Sequence, residues 1–128
     1  MNRLLKTFTA AALVFTATNV LASPPKLITH NLTEFDSNAF VAGSIPSRHP
    51  TKAHSDGAVS WTEVRMACFG HLVENKCSAD IYMLMATPLL IGTVAMDVDS
   101  GVITPGHLHA NGFTVTVNGP GETTITKD

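Results

Sequence analysis

Two histidines in the stretch GHLHANG, His107 and His109, have the spacing of ligands that bind one metal ion from a β-strand. Side chains at positions i and i+2 of a strand point to the same face, so both imidazoles can reach a shared ion. Imidazole is a ligand of zinc and copper, and such a site needs a third and usually a fourth ligand. Candidates for the third ligand are His71, His49, His54, Asp97 and Asp99. With His71 chosen, the spacing predicts a Zn or Cu site at His71, His107 and His109.

The residue between the two histidines supports a different interpretation. Leu108 alternates with them, so if Leu108 faces an apolar core, His107 and His109 face solvent. Exposed histidines in a polar row need no metal ion. The metal hypothesis therefore depends on a third ligand from elsewhere in the chain, and both interpretations stay open at this point.

The first 22 residues have the three parts of a secretory signal peptide. Arg3 and Lys6 form a positive start, an apolar stretch follows, and Val20 and Ala22 are small residues at a cleavage site before Ser23. The apolar stretch is too short for the roughly 20 residues of a spanning helix, and no second run is long enough. We therefore predict a signal peptide at 1–22, a single β-rich domain at 23–128, no membrane insertion after cleavage, and a secreted or periplasmic protein.

The charge of the predicted mature chain argues against nucleic acid as a partner. Two of the eight Lys and Arg lie in the signal, so six remain against ten Asp and Glu, a net charge of −4. Such a chain has no basic stripe for a phosphate backbone. We expect a partner outside the cytoplasm that is a protein or a glycan.

The chain has two cysteines, Cys68 and Cys77, and both lie in the exported part. An even pair in an oxidising compartment predicts a disulfide, which by the chain-entropy model contributes roughly 2.7 kcal/mol for a loop of about 10 residues. The alternative, a reactive or metal-binding pair, lacks the CxxC spacing. The closed loop carries four polar residues that we predict as a contact surface, since such loops on rigid scaffolds often carry function. These are His71, Glu74, Asn75 and Lys76.

Short alternating segments separated by turn residues predict an all-β fold. At the C-terminus, Phe113, Val115 and Val117 alternate with threonines, and Pro120-Gly121 fits positions i+1 and i+2 of a type II turn. This pattern predicts a hairpin. About seven such strands indicate a small antiparallel β-sandwich, for which an immunoglobulin-like architecture is one form.

The segment around residues 60–75 is ambiguous between a helix and a strand. Ser60 and Glu63 have the spacing of a helix capping box, and one helical face would carry Trp61, Val64, Cys68 and Leu72. Phe69-Gly70 weakens the helical pattern, whereas a hairpin running from 64 to 83 brings the two cysteines together. We favour the hairpin, and the alternative is an α+β fold with one short helix near 60–75.

Catalytic motifs are missing from the sequence. No GxSxG, HExxH or P-loop pattern occurs, and DVDSG at 97–101 fails the calcium-loop pattern after two acidic positions. We therefore predict an exported, disulfide-stabilised binding protein that is not an enzyme. The alternatives are a periplasmic metal-binding protein that uses the histidine pair, and a small secreted hydrolase.

Overall fold

The computed structural model describes residues 22–128, which form eleven β-strands and one α-helix. The predicted signal peptide, apart from Ala22, lies outside the described residues. The strands are β1 (Lys26–Asn31), β2 (Ser37–Val41), β3 (Ile45–Pro46), β4 (Ser55–Ser60), β5 (Leu72–Val73), β6 (Lys76–Met83), β7 (Leu89–Asp97), β8 (Ile103–Thr104), β9 (His107–Ala110), β10 (Phe113–Gly119) and β11 (Glu122–Lys127). The helix α1 spans Trp61–Cys68. Within residues 22–128, no helix is long and apolar enough to cross a membrane.

The strands form two sheets that pack face to face. Sheet A has the order β4-β1-β11-β10-β9, and sheet B has the order β3-β2-β6-β7-β8 with β5 also paired to β6. Neighbouring strands in these sheets run antiparallel except for β1 and β11, which are parallel. The predicted all-β sandwich is therefore confirmed.

The C-terminal hairpin forms as the alternating pattern predicts. Val115 of β10 is paired with Ile125 of β11, and both side chains are buried. Gly121 adopts φ +66° at the turn, a left-handed conformation that a glycine takes readily. The threonines between the valines of β10 point to the opposite face, so this strand has one buried side and one polar side.

The helix α1 corrects the favoured prediction for residues 60–75. The Ser60 side chain accepts a hydrogen bond from the Glu63 backbone N–H (3.3 Å), which caps the first turn. Trp61 and Cys68 lie on the buried face, and the Trp61 indole Nε1 donates to the Val98 carbonyl (2.9 Å). A hairpin arm beginning at residue 64 is therefore wrong, and the helical alternative is right. The glycine argument fails because Gly70 follows the helix.

The core between the sheets consists of two apolar clusters. One contains helix and sheet B side chains: Val41, Trp61, Val64, Cys68, Cys77, Met96, Val98 and Ile103. The other joins the two sheets directly through Met83, Ile91, Phe113, Val115 and Ile125. At this second cluster Leu108 lies over Gly92, where a β-carbon would be 3.0 Å from a Leu108 methyl carbon. Between the clusters the sandwich is less completely filled.

Candidate functional site

The main functional candidate is a cavity of about 420 Å³ between the two sheets. Its floor is formed by buried apolar side chains of both sheets: Val41, Met96, Ile103, Val115 and Ile125. The remaining wall combines aliphatic side chains with several Ser and Thr residues and with Asn38, Arg48, His49 and Glu63, and its exposed surface is mainly apolar. Small-molecule sites in proteins range over about 300–1,000 Å³ and have mainly apolar walls, so the size and lining fit that class of site.

Small residues at inward strand positions leave this space open. Ala39 of β2 and Ala79 of β6 lie on the cavity wall, where larger side chains would reach into it. Gly57 of β4 on sheet A also lines the cavity, but the space beside it is occupied by the Thr51 side chain. A two-layer sandwich normally fills its centre with large interdigitating residues. Here the two alanines of β2 and β6 leave part of it open.

The cavity opens to solvent at one side, where its lining residues are exposed. This mouth is bounded by Ile45 and Pro46 of β3, Arg48 and His49 of the following loop, and Glu63 and Met66 of α1. The loop is fixed to the sandwich by Thr51, which exchanges backbone hydrogen bonds of 2.8 and 2.9 Å with Ser37. The mouth is therefore built from one short strand, one tethered loop and one helix face.

Two residues close part of the mouth by pairing with each other. His49 Nε2 contacts the Glu63 carboxylate, which links the loop to α1. Arg48, beside them, is exposed, and within residues 22–128 no carboxylate lies at salt-bridge distance from its guanidinium. The Glu63 carboxylate thus already has a hydrogen-bonding partner in His49, whereas the guanidinium of Arg48 has no carboxylate partner among these residues.

The histidine pair that suggested a metal site lies on the outer face of sheet A. His107 and His109 are exposed in β9, and Leu108 between them turns inward. His109 Nε2 contacts the carboxylate of Asp128, which also accepts a hydrogen bond from Thr114 Oγ1 (2.7 Å). The Thr114 hydrogen bond, and next the one from His109, lowers the pKa of Asp128. This is the arrangement that strand parity predicts when Leu108 is buried.

His71 is not brought to the histidine pair. It is exposed between α1 and β5, which pairs with sheet B, whereas β9 is the edge strand of sheet A. Across the described part of the chain, no group of three or more His, Cys, Asp or Glu side chains is placed to hold a metal ion. His71, His107 and His109 therefore do not form one cluster in this structure.

The disulfide predicted from the two cysteines is present. Cys68 and Cys77 are bonded, with Cα atoms 5.8 Å apart, and both are buried at the cavity wall. The bond fixes the end of α1 to the start of β6. The loop between them therefore projects from a rigid base.

The predicted contact residues lie in that loop. Glu74 and Asn75 form the tight β5–β6 turn, with φ values of 52° and 66°. Asn75 Nδ2 donates to Asp99 Oδ2 (2.8 Å), so its amide is already engaged, while His71, Glu74 and Lys76 are exposed. The loop thus presents all four predicted residues to solvent, and only Asn75 has its side chain engaged with Asp99.

Sequence reasoning missed the apolar residues of this region. Phe69 is 83% exposed and Val73 is 73% exposed, with exposed Met66 and Leu72 nearby in sequence. We call Met66, Phe69, Leu72 and Val73 the hairpin surface. Two of these, Phe69 and Leu72, also line a shallow depression with Cys68. Groups of large exposed apolar side chains are typical of contact sites.

A third cluster crosses three strands of the outer face of sheet A. His30 of β1 binds Asp56 of β4 through Nδ1 (2.8 Å) and Glu122 of β11 through Nε2 (2.6 Å). The hydrogen bond to Asp56, and next the one to Glu122, raises the pKa of His30. Both ring nitrogens are engaged, so the cluster fastens strands together and leaves no imidazole nitrogen free for a proton transfer.

Comparison with known proteins identifies the family. Residues 1–128 match a family model described as the T2SS substrate NttC. The chain belongs to the NttC family. A solved structure, the crystal structure of the Legionella pneumophila type II secretion system substrate NttC, is 49% identical, covers 83% of this chain and 100% of its own, and superposes with a TM-score of 0.81. No curated protein matches the chain.

Membership of the NttC family decides the location of the protein. A substrate of the type II secretion system is exported through the periplasm and secreted. The predicted secreted or periplasmic location is therefore confirmed. The description of the NttC family names this route and no reaction.

Proposed function

We propose that this secreted protein is a binding protein that takes up a small apolar molecule in the cavity between its sheets. The observation that carries the proposal is the cavity itself, about 420 Å³ with a largely aliphatic wall and one open side. An engineered apolar cavity of about 150 Å³ already binds benzene. The space between these sheets is large enough for a longer molecule.

The lining of the cavity supports an apolar occupant. Its floor is formed by aliphatic side chains of both sheets, and most of the exposed surface of the cavity is apolar. Burial of apolar ligand surface against such a wall is favourable by roughly 25 cal/mol per Å².

The direct test is binding of decanol, a neutral molecule with an apolar chain, to the mature secreted protein. A ligand that binds only the folded state raises the melting temperature in proportion to its concentration over its Kd. We expect a concentration-dependent rise, and native mass spectrometry should show one ligand per chain. An unchanged melting temperature together with only the bare chain in the spectrum contradicts the proposal.

Filling the cavity provides the matched control. Ala79→Leu places three more carbon atoms in the cavity, so it should stabilise the ligand-free protein by about 0.5–2 kcal/mol and weaken decanol binding. Ala39→Leu, on the neighbouring strand, tests the same wall independently. Ala58→Leu makes the same change at an exposed position of β4 and should alter neither quantity. If both filling variants bind decanol as the wild type does, the ligand does not occupy this cavity.

A second candidate function is binding of a protein partner at the hairpin surface. The observation that favours it is the exposure of Phe69 and Val73 beside the predicted contact residues His71, Glu74 and Lys76. Exposed aromatic side chains on a rigid base are typical of the residues that dominate protein interfaces. The disulfide at the base of the loop limits the ordering entropy that binding would otherwise cost.

A pull-down from host or envelope extract tests this second function. Phe69→Ser and Val73→Ser should each abolish capture of a partner that the wild type enriches. Leu32→Ser removes a comparably exposed apolar side chain, 59% exposed, outside the hairpin surface and should leave capture intact. Equal loss with Leu32→Ser, or no enrichment by the wild type, contradicts an interface here.

A further inference from the structure

We infer that the molecule bound in the cavity is a single-chain amphiphile with an anionic head group, and that Arg48 holds that head at the mouth. This inference rests on the proposed function, since it concerns the same cavity. It adds the chemical class of the ligand and the direction in which it enters. The chain lies between the sheets, and the head stays in water at the mouth.

The charges at the mouth favour an anion. Glu63 is the acidic residue of the lining, and its carboxylate is in contact with His49. Arg48 lies next to His49 on the same loop, but its guanidinium has no carboxylate partner within residues 22–128. An arginine presents a planar set of donors that matches a carboxylate or a phosphate. Arg48 is therefore the group at this mouth that is ready to bind an anion.

The distribution of charge along the chain points the same way. The chain as a whole is acidic, with ten Asp and Glu against eight Lys and Arg. From Ser37 to Ser55, however, it has no acidic residue, and this segment carries Arg48 and Lys52 with two histidines. The segment includes β2, β3 and the loop at the mouth, so the basic part of an acidic protein borders the cavity. Such a local field attracts anions and repels cations.

The shape of the site fits an amphiphile better than a compact apolar molecule. The buried floor is aliphatic, while Arg48, His49 and the exposed side chain of Met66 lie at the opening. A ligand with an apolar chain and one anionic end can contact the aliphatic floor with its chain and Arg48 with its head group. A neutral hydrocarbon would leave Arg48 in water and gain nothing from it.

Carboxylates and phosphate monoesters share this chemistry, so the test includes both. Decanoate, decyl phosphate and decanol have the same chain, and decyltrimethylammonium reverses the charge of the head. Binding of each to the mature protein is measured by isothermal titration below the concentration at which it aggregates, at pH 8, above the ordinary pKa of histidine. We expect decanoate or decyl phosphate to bind about fivefold more tightly than decanol, the size of effect an exposed charge pair contributes, and the cation to bind more weakly.

Two variants, one of Arg48 and one of Lys52, show which residue causes the preference for anionic ligands. Arg48→Gln should abolish the preference for the anionic ligands while decanol binding is unchanged. Lys52→Gln removes a charge from the same loop, but Lys52 does not line the cavity, so the preference should persist. The relative affinities of decanoate and decyl phosphate show which head group the mouth accepts better.

The outcomes separate this inference from the proposed function. If decanol binds and the anions bind no more tightly, the head-group inference is wrong and the apolar cavity remains the site. If the two variants reduce the preference equally, Arg48 does not hold the head. If none of the four ligands binds, the proposed function itself fails.

Discussion

Thr51 packs against Gly57 so closely that a β-carbon at position 57 would lie 2.6 Å from Thr51 Oγ1. Thr51 is buried and is bonded through its backbone to Ser37 of sheet B, while Gly57 belongs to β4 of sheet A. The pair therefore fixes the loop that carries Arg48 against both sheets. The position of the cavity mouth depends on this contact.

Gly57→Ala should lower the free energy of unfolding by about 1–3 kcal/mol, because the added methyl group overlaps a side chain that is tethered on both sides. Urea denaturation measures the effect. In a Thr51→Ala background the penalty should shrink, since the overlapping atoms are gone. Gly106→Ala is the matched control, because no atom lies within 4 Å of a β-carbon there. Equal effects at 57 and 106 would show that the contact is not tight.

Reduction of the Cys68–Cys77 bond should lower the free energy of unfolding by about 2.7 kcal/mol. The two cysteines are nine residues apart, and the loss follows from the extra freedom of the unfolded chain in the chain-entropy model. Thermal or urea denaturation with and without dithiothreitol measures it. The double variant Cys68→Ala/Cys77→Ala should be less stable and insensitive to dithiothreitol. A wild type that is equally insensitive would contradict a stabilising role.

Ser60→Ala should destabilise the protein by about 1 kcal/mol, because the side chain that accepts the Glu63 N–H is lost from the start of α1. Thr62→Ala, at the exposed second helical position, is the control and should have a smaller effect. Equilibrium unfolding in urea distinguishes them. If the two substitutions are equivalent, capping does not determine the stability of this helix.

His30→Gln should destabilise the protein in a way that depends on pH. The folded state raises the pKa of His30, so the stabilisation from Asp56 and Glu122 is fully present below the unfolded value near 6.5, as long as the carboxylates are ionised. It is lost as pH rises through the raised folded pKa. The difference in melting temperature between variant and wild type should thus be larger at pH 5.5 than at pH 9.

His107→Gln provides the comparison for that pH series. His107 is exposed on the same face of sheet A, and within residues 22–128 it has no ion-pair partner. Its substitution should change stability little, and by the same amount at both pH values. A His30→Gln effect that does not vary with pH would mean that the cluster contributes by packing and not by charge.

Zinc or copper should leave the melting temperature unchanged. His107 and His109 face solvent, His109 is paired with Asp128, and His71 precedes β5, which pairs with sheet B. Two imidazoles without a third ligand make a weak site. A rise in melting temperature that disappears in His107→Ala would instead support the metal site that the HLH spacing suggests.

Features that depend on neighbouring residues are predictable from this sequence. The alternation in β10 and the Pro120-Gly121 turn predict the C-terminal hairpin, and the cysteine pair predicts the disulfide. The Ser60–Glu63 capping signal also marks the true start of α1. The predicted hairpin at 64–83 is wrong because the argument against a helix places Gly70 inside it. The helix ends at Cys68, so Gly70 does not weaken it.

The cavity is not predictable in this way. Ala39 and Ala79 come from two strands that are distant in sequence, and neither is unusual in its own segment. They leave a space only because strand register places both on the inner face of sheet B. The same is true of Arg48, whose position at a mouth depends on the fold of the whole sandwich.

The parallel pairing of β1 with β11 determines when this protein is able to fold. Sheet A joins β1 and β4 to β9 and β10 only through β11, which spans Glu122–Lys127. Pairing strands so distant in sequence is slow, since the long intervening loop must close first. A chain that emerges N-terminus first therefore lacks the central strand of sheet A until residues 122–127 have emerged. Strands β1, β4, β9 and β10 are available earlier, but sheet A is not continuous until β11 joins them.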